Sequence, residues 1–157
     1  MTGLARATGV AAVLICAAGM AAAACSDDVV RVEGDWGHAN FTVEVADDNQ
    51  ERATGLMNRE SMGTLEGMLF IYDAPQRASF WMRNTLIPLD MVFASPDGTI
   101  TRIHHNAIPM DETAIAGGDG VQFVLEINGG LAERLGIEEG DHLQHPAITE
   151  DAVLPCD

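Results

Sequence analysis

Phe80-Trp81-Met82-Arg83-Asn84-Thr85-Leu86-Ile87-Pro88-Leu89-Asp90-Met91-Val92-Phe93 is the run whose reading decides the fold. It is too polar for a plain core strand and too apolar for a plain surface loop. Alternation sets Phe80 and Met82 on one face and Trp81 and Arg83 on the other, so Ser79 to Asn84 reads as a strand. Ile87-Pro88 breaks it, and Leu89 to Ala94 continues as a second strand. Ser95-Pro96-Asp97-Gly98 has the Pro and Gly placement of a type I turn, and Thr99 to His104 follows as a third strand. Three strands on short turns predict an antiparallel meander.

Working outward, Phe41 to Val45 alternates and predicts a strand with one buried face. Asp48 stands as an N-cap with Glu51 three residues on, so a short helix is expected over Asn49 to Met57, ending near Asn58. Ser61 to Gly67 is a loop. Met68 to Tyr72 is apolar throughout and predicts a central strand; Asp73-Ala74-Pro75-Gln76 is a turn. On the other side, Asn106 to Gly120 is polar and glycine-rich and reads as a long mobile loop. Val121 to Ile127 is a strong strand. Asn128-Gly129-Gly130 leads into a helix at Leu131 to Leu135, stopped by Gly136. The Glu139-Gly140-Asp141 turn then gives a last strand near His142 to His145. The expected fold class is mainly β (α+β): a small antiparallel barrel or sandwich with two short helices.

The ends set the compartment. Residues 1–24 read as a signal peptide, with Arg6 in the n-region, an apolar stretch from Val10, and Ala22-Ala23-Ala24 before the cleavage point. Residues 25–39 read as a flexible tether, 40–146 as one β-rich globular domain, and 147–157 as a flexible acidic tail. Two fates stand for Cys25. The run Ala22-Ala23-Ala24-Cys25 resembles a bacterial lipobox, with Ala22 where Leu is usual, which makes Cys25 a lipidation site. The rival is a disulfide with Cys156, as exported chains often form. A lipidated sulfur forms no disulfide, so the two exclude each other, and lipidation is the favoured expectation. The protein is expected on the periplasmic side of a bacterial membrane as a lipoprotein, or soluble in the periplasm or medium.

Composition narrows the partners. The chain has 157 residues, a mean hydropathy of +0.08 and a net charge of −16, from 24 acidic and 8 basic residues. Every basic residue is Arg. Phosphate backbones and anionic lipids are bound through clustered Lys and Arg, so no nucleic acid is expected, and no membrane contact except through a lipid on Cys25. The acidity keeps the protein soluble and leaves a cationic partner open.

Several motifs stand in a fixed order: Gly55-Leu56-Met57, Gly67-Met68-Leu69-Phe70, Phe80-Trp81-Met82-Arg83-Asn84-Thr85, Ile87-Pro88-Leu89-Asp90, Leu125-Glu126-Ile127 with Gly129-Gly130, and Gly140-Asp141. Together, from about Phe41 to His145, they closely resemble the domain-of-unknown-function 192 family, which more often carries Lys where this chain has Arg83. The resemblance implies a small β-rich domain with two short helices, frequently exported. It implies no activity, substrate or catalytic residue.

The candidate ligand-binding residues are Trp81, Arg83, Asn84 and Asp90. In the functional reading Trp81 is a stacking surface and Arg83 grips an anionic or sugar-like ligand beside Asp90. In the plainer reading Arg83 and Asp90 pin a hairpin and Asn84 satisfies turn backbone, and this reading leads. Glu126 interrupts an apolar strand, pointing either outward by alternation or inward as a perturbed acid. The Gly129-Gly130 backbone offers a possible anion site at a helix start, or simply a tight turn. His104, His105, Asp111, Glu112 and the methionines lack ligand spacing, so no metal and no cofactor is expected; no Gly-x-Ser-x-Gly elbow is present and no catalytic residue is assigned. The expected function is a non-catalytic envelope module binding a small molecule or polymer near Trp81. The alternatives are a hydrolase-like enzyme on envelope material using Asp90 or Glu126, and an assembly partner of another envelope protein.

Overall fold

The computed structural model describes residues 25–156; the expected signal peptide, residues 1–24, lies outside them. In chain order the elements are β1 (Val29–Gly34), β2 (Gly37–Ala46), α1 (Asn49–Thr54), β3 (Glu66–Phe80), β4 (Leu89–Ala94), β5 (Ile100–Ala107), β6 (Ile115–Asn128), α2 (Leu131–Leu135) and β7 (His142–Gln144). All seven strands form one sheet in the order β5-β4-β6-β3-β2-β1-β7. It curls into a half-barrel. An isolated Thr99–His142 bridge ties the start of β5 to β7 at the far edge. The mainly β class with two short helices is as expected. The pairs are antiparallel except β2 with β3, whose parallel register runs from Thr42↔Glu66 to Ala46↔Phe70. Parallel neighbours need a crossover, and α1 with its loop supplies it.

The two faces of the sheet carry separate cores. Leu69, Val92, Phe123, Leu125 and Ile127 pack on one face with Val30, Val32, Phe41 and, from α2, Leu131 and Ala132. Met68, Phe70, Met91, Phe93 and Val124 pack on the other with Leu56, Ala78 and Met82. Strands β4 and β6 sit inside the sheet and bury both faces. This is why they read as near-continuous apolar runs.

The meander is corrected. The expected strand at 79–84 ends at Phe80, and residues 81–88 form an irregular connection. Between β3 and β4 lies β6, which pairs with both, so the opening run contains no hairpin. The expected turn at Asp73–Gln76 does not end its strand. The register passes from Ile71↔Phe123 to Gln76↔Val121, so the extra residues bulge out and β3 continues. The start of the expected 106–120 loop extends β5 to Ala107, and its end, from Ile115, likewise becomes β6. Gly117 makes this possible: a Cβ there would lie 2.4 Å from the Phe93 ring. Helix α1 stops earlier than expected, because Gly55 takes a positive φ of 47° as its C-cap.

The tether and the tail are also corrected. Val30 and Val32 alternate with Arg31 and are fully buried, so residues 29–34 form a strand between β2 and β7. Ile148 is buried, the Val153 N–H donates to the Asp97 carbonyl, and Gln144 Nε2 donates to the Pro155 carbonyl. The tail is strapped to the domain. Its last strap is a disulfide between Cys25 and Cys156, closing a loop of 131 residues. Of the two fates expected for Cys25, this structure has the disulfide and not the favoured lipidation, since the sulfur is bonded to Cys156. Such a cross-link typically stabilises by about 2–4 kcal/mol, chiefly by restricting the unfolded chain.

Candidate functional site

The four residues expected to form a site are divided by the sheet. Asp90 is fully buried on β4. Paired with Ile127, it faces the α2 side. Its Oδ1 accepts from the backbone N–H of Asn106 at 2.7 Å and of Gly130 at 2.8 Å, and its Oδ2 accepts from Ala132 N–H at 2.8 Å. Gly130 stands at the N-cap of helix α2 and has no side chain to cap it, and Asp90 takes that role from another strand. The anion at the Gly129-Gly130 turn is therefore internal. Gly129 fits because any Cβ would come within 2.6 Å of Asn106 Oδ1 and 2.9 Å of Pro88 Cβ. The expected Arg83–Asp90 pair is not formed. Arg83 is exposed and stacks over the Trp81 ring, 5.4 Å from its centroid. Asn84 holds the connection in place: in a left-handed conformation, φ 53°, its carbonyl accepts from the Asn58 N–H at 2.8 Å.

A different acid faces a cavity. Glu126 lies on β6, in register with Met68 of β3 and Met91 of β4, and points to the face opposite Asp90. It is 4 % exposed; its side chain takes no hydrogen bond among the described residues, and its oxygens are left open to the cavity rather than sealed off. Burial pushes its carboxyl up to about 8. The cavity it lines measures about 180 Å³. Four rings stand in its wall, from Phe70, Tyr72, Phe80 and Trp81, half of the aromatic residues in the chain. Phe80 packs edge-on against Phe70 at 5.2 Å and against Phe93 at 5.7 Å, which fixes one side. The end of α1 and the residues after it, from Arg52 to Met57, and Ser79 and Thr85 complete the lining. Arg52 donates to the Asp47 and Ile71 carbonyls and to Asn49 Oδ1, and stacks over Tyr72 at 5.2 Å. Burial raises the Tyr72 hydroxyl above its usual range, Arg52 opposes the rise and Glu126 adds to it.

Of the expected residues, then, only Trp81 lines this cavity, with Arg83 on its ring at the rim. Glu126 takes the inward orientation. Phe70, Tyr72, Phe80 and Arg52 were missed. Their signal was weak: aromatic residues at strand positions usually mean core. His104, His105 and Asp111 line a separate groove with Arg102. No group of three or more His, Cys, Asp or Glu suited to a metal occurs among the described residues.

The sequence matches the family DUF192, described as Uncharacterized ACR, across residues 30–145. A crystal structure of a protein of unknown function from Novosphingobium aromaticivorans is 46% identical with a TM-score of 0.73, over 74% of this chain and 83% of that one. A "putative transcription regulator" from Sinorhizobium meliloti is 39% identical with a TM-score of 0.75, over 80% of this chain and 98% of that one. No curated protein matches the chain.

Two substitutions separate the roles of the two acids. Asp90→Ala strands three backbone N–H groups, each a loss of about 1–3 kcal/mol when buried. Urea denaturation should show at least about 3 kcal/mol of destabilisation; a loss under 1 kcal/mol would remove the capping role. Glu126 has the opposite signature. Its folded pKa of about 8 exceeds its ordinary 4.5, so the folded protein holds a proton that the unfolded chain releases. Its contribution to stability falls as pH rises through that window. Glu126→Gln should therefore gain on the wild type across the same window, by on the order of a few kcal/mol at its upper end. A difference flat with pH would mean the carboxyl is not shielded.

Proposed function

The chain belongs to the DUF192 family, and from its cavity we propose that it is a non-catalytic binding module of the cell envelope, taking one small group of a ligand against Glu126 and Trp81. The observation that carries this is Glu126 itself. Its carboxyl is almost fully buried and meets no donor from the protein, yet it keeps contact with the open cavity, and a ligand group there supplies the partner it lacks. Ligand pockets typically combine apolar and aromatic walls with a few placed polar groups. This cavity does so, with Ser79 and Thr85 beside the acid. Its volume is below the roughly 300–1,000 Å³ of sites that engulf a whole ligand. It suits a side group of a larger molecule, the rest of which passes over the exposed Trp81.

Hydrolysis is the weaker reading. Glycoside hydrolysis usually employs two carboxyl groups flanking the bond, and Glu126 is the only acid in the lining. Asp90 is saturated by backbone donors on the other face. A nucleic-acid ligand is disfavoured by the charge of −16.

Export is supported by the Cys25–Cys156 bond, since such bonds persist outside the reducing cytosol, and by the leader-like residues that precede it.

Binding is tested by NMR titration with N-acetylglucosamine, acetamide and tetramethylammonium. Shifts should concentrate at Leu56, Thr85 and Glu126 for at least one probe; shifts gathered elsewhere, or none, reject the cavity as the site. Export is tested by acid quenching and alkylation of producing cells. Cys25 and Cys156 should resist alkylation until reduced, and the protein should leave the cytoplasm; free thiols in a cytoplasmic protein reject it.

A further inference from the structure

We infer that the group taken by the Glu126 cavity is a methylated or quaternary ammonium, held by the aromatic wall and by the Glu126 carboxylate as its counter-charge; this rests on the cavity being the binding site.

Ring faces carry negative electrostatic potential, and several rings around one small space are the usual receptor for an ammonium whose charge is spread over methyl groups. Phe70, Tyr72, Phe80 and Trp81 provide such a wall. Two of these rings already engage cations: Arg52 lies over Tyr72 and Arg83 over Trp81. Arg83 is exposed and has no acidic partner among the described residues, so an incoming cation can compete for that ring. Arg52 is tethered by oxygen acceptors on α1, its preceding turn and β3. A neutral polar ligand would call for convergent free donors and acceptors, and the Thr54 and Thr85 hydroxyls of the wall are already engaged by the Gln50 and Arg83 carbonyls. The charge of −16 also raises the local concentration of cations at the surface.

Binding is then a proton exchange. The cation enters, the Glu126 O–H bond breaks, and the proton leaves to solvent, so charge balances inside the cavity. The other groups around Glu126 are Arg52 of α1, Tyr72 of β3 and, along the same cross-strand row, Glu44 paired with Arg59 beyond Met68 and His104 beyond Met91. Glu44 is held below its usual range by Arg59 and Tyr72 is raised, so neither titrates between pH 7 and 9.

The test compares choline with 3,3-dimethylbutan-1-ol, its uncharged carbon isostere, by calorimetry and NMR on the disulfide-bonded protein. Choline should bind at least about tenfold tighter and gain about tenfold in affinity between pH 7 and pH 9, with shifts at Leu56, Thr85 and Glu126. Glu126→Gln should lose both the preference for choline over the isostere and the pH dependence; Trp81→Leu, at an exposed position, should weaken choline without unfolding. The inference is overturned if the isostere binds equally well or choline affinity is flat or falls with pH. Uncharged probes that still occupy the cavity in that case leave the binding-module reading standing, and a cavity silent to both overturns the two together.

Discussion

The side chain of Asp90 is the constraint on which the helical side of this domain depends. One residue of a central strand accepts hydrogen bonds from the end of β5, from the turn after β6 and from the first turn of α2. A five-residue helix has little intrinsic stability, and this one has a glycine at its N-cap and so no side-chain cap of its own. Asp90 supplies the acceptor and aligns the helix on the core of that face. The neighbouring geometry follows from the same contact. Gly129 must lack a side chain to let Pro88 and Asn106 approach, and Asn106 adopts a left-handed conformation there.

The second buried acid obeys the opposite logic. Asp90 and Glu126 stand on adjacent strands, one register step apart, and alternation sends them to opposite faces. Asp90 meets three donors and is fully compensated. Glu126 meets rings and thioethers, with Met68 and Met91 flanking it in the ladder. An acid kept without partners is destabilising in the folded protein. Such a penalty is often found where a binding site needs the group.

Much of the fold was legible in the sequence. Asp48 and Glu51 marked the start of α1, Leu131 to Leu135 was read as α2, and the apolar run of β6 was read as a strand. The errors share a cause, since each depended on partners distant in sequence. Val30 and Val32 carry a short alternation hidden among acids, and only β2 and β7 make it a strand. The Asp73–Gln76 turn signal was genuine, but β6 holds the strand on both sides of the bulge. Arg83 and Asp90, seven residues apart, suggested a pair across a hairpin; the insertion of β6 between β3 and β4 removed the hairpin and with it the pair.

The sequence by itself determined the class of fold, the family motifs, the acidic surface and the placing of Cys25 and Cys156 near the two ends of the domain. Its information on these is local or compositional: capping residues, periodicities, charges and residue types act wherever the chain goes. The tertiary structure alone decided that Cys25 meets Cys156, that Asp90 is a cap and that Glu126 faces a ring-lined cavity. These outcomes depend on strand order and on which face each residue joins, and one strand inserted between two others changes both at once.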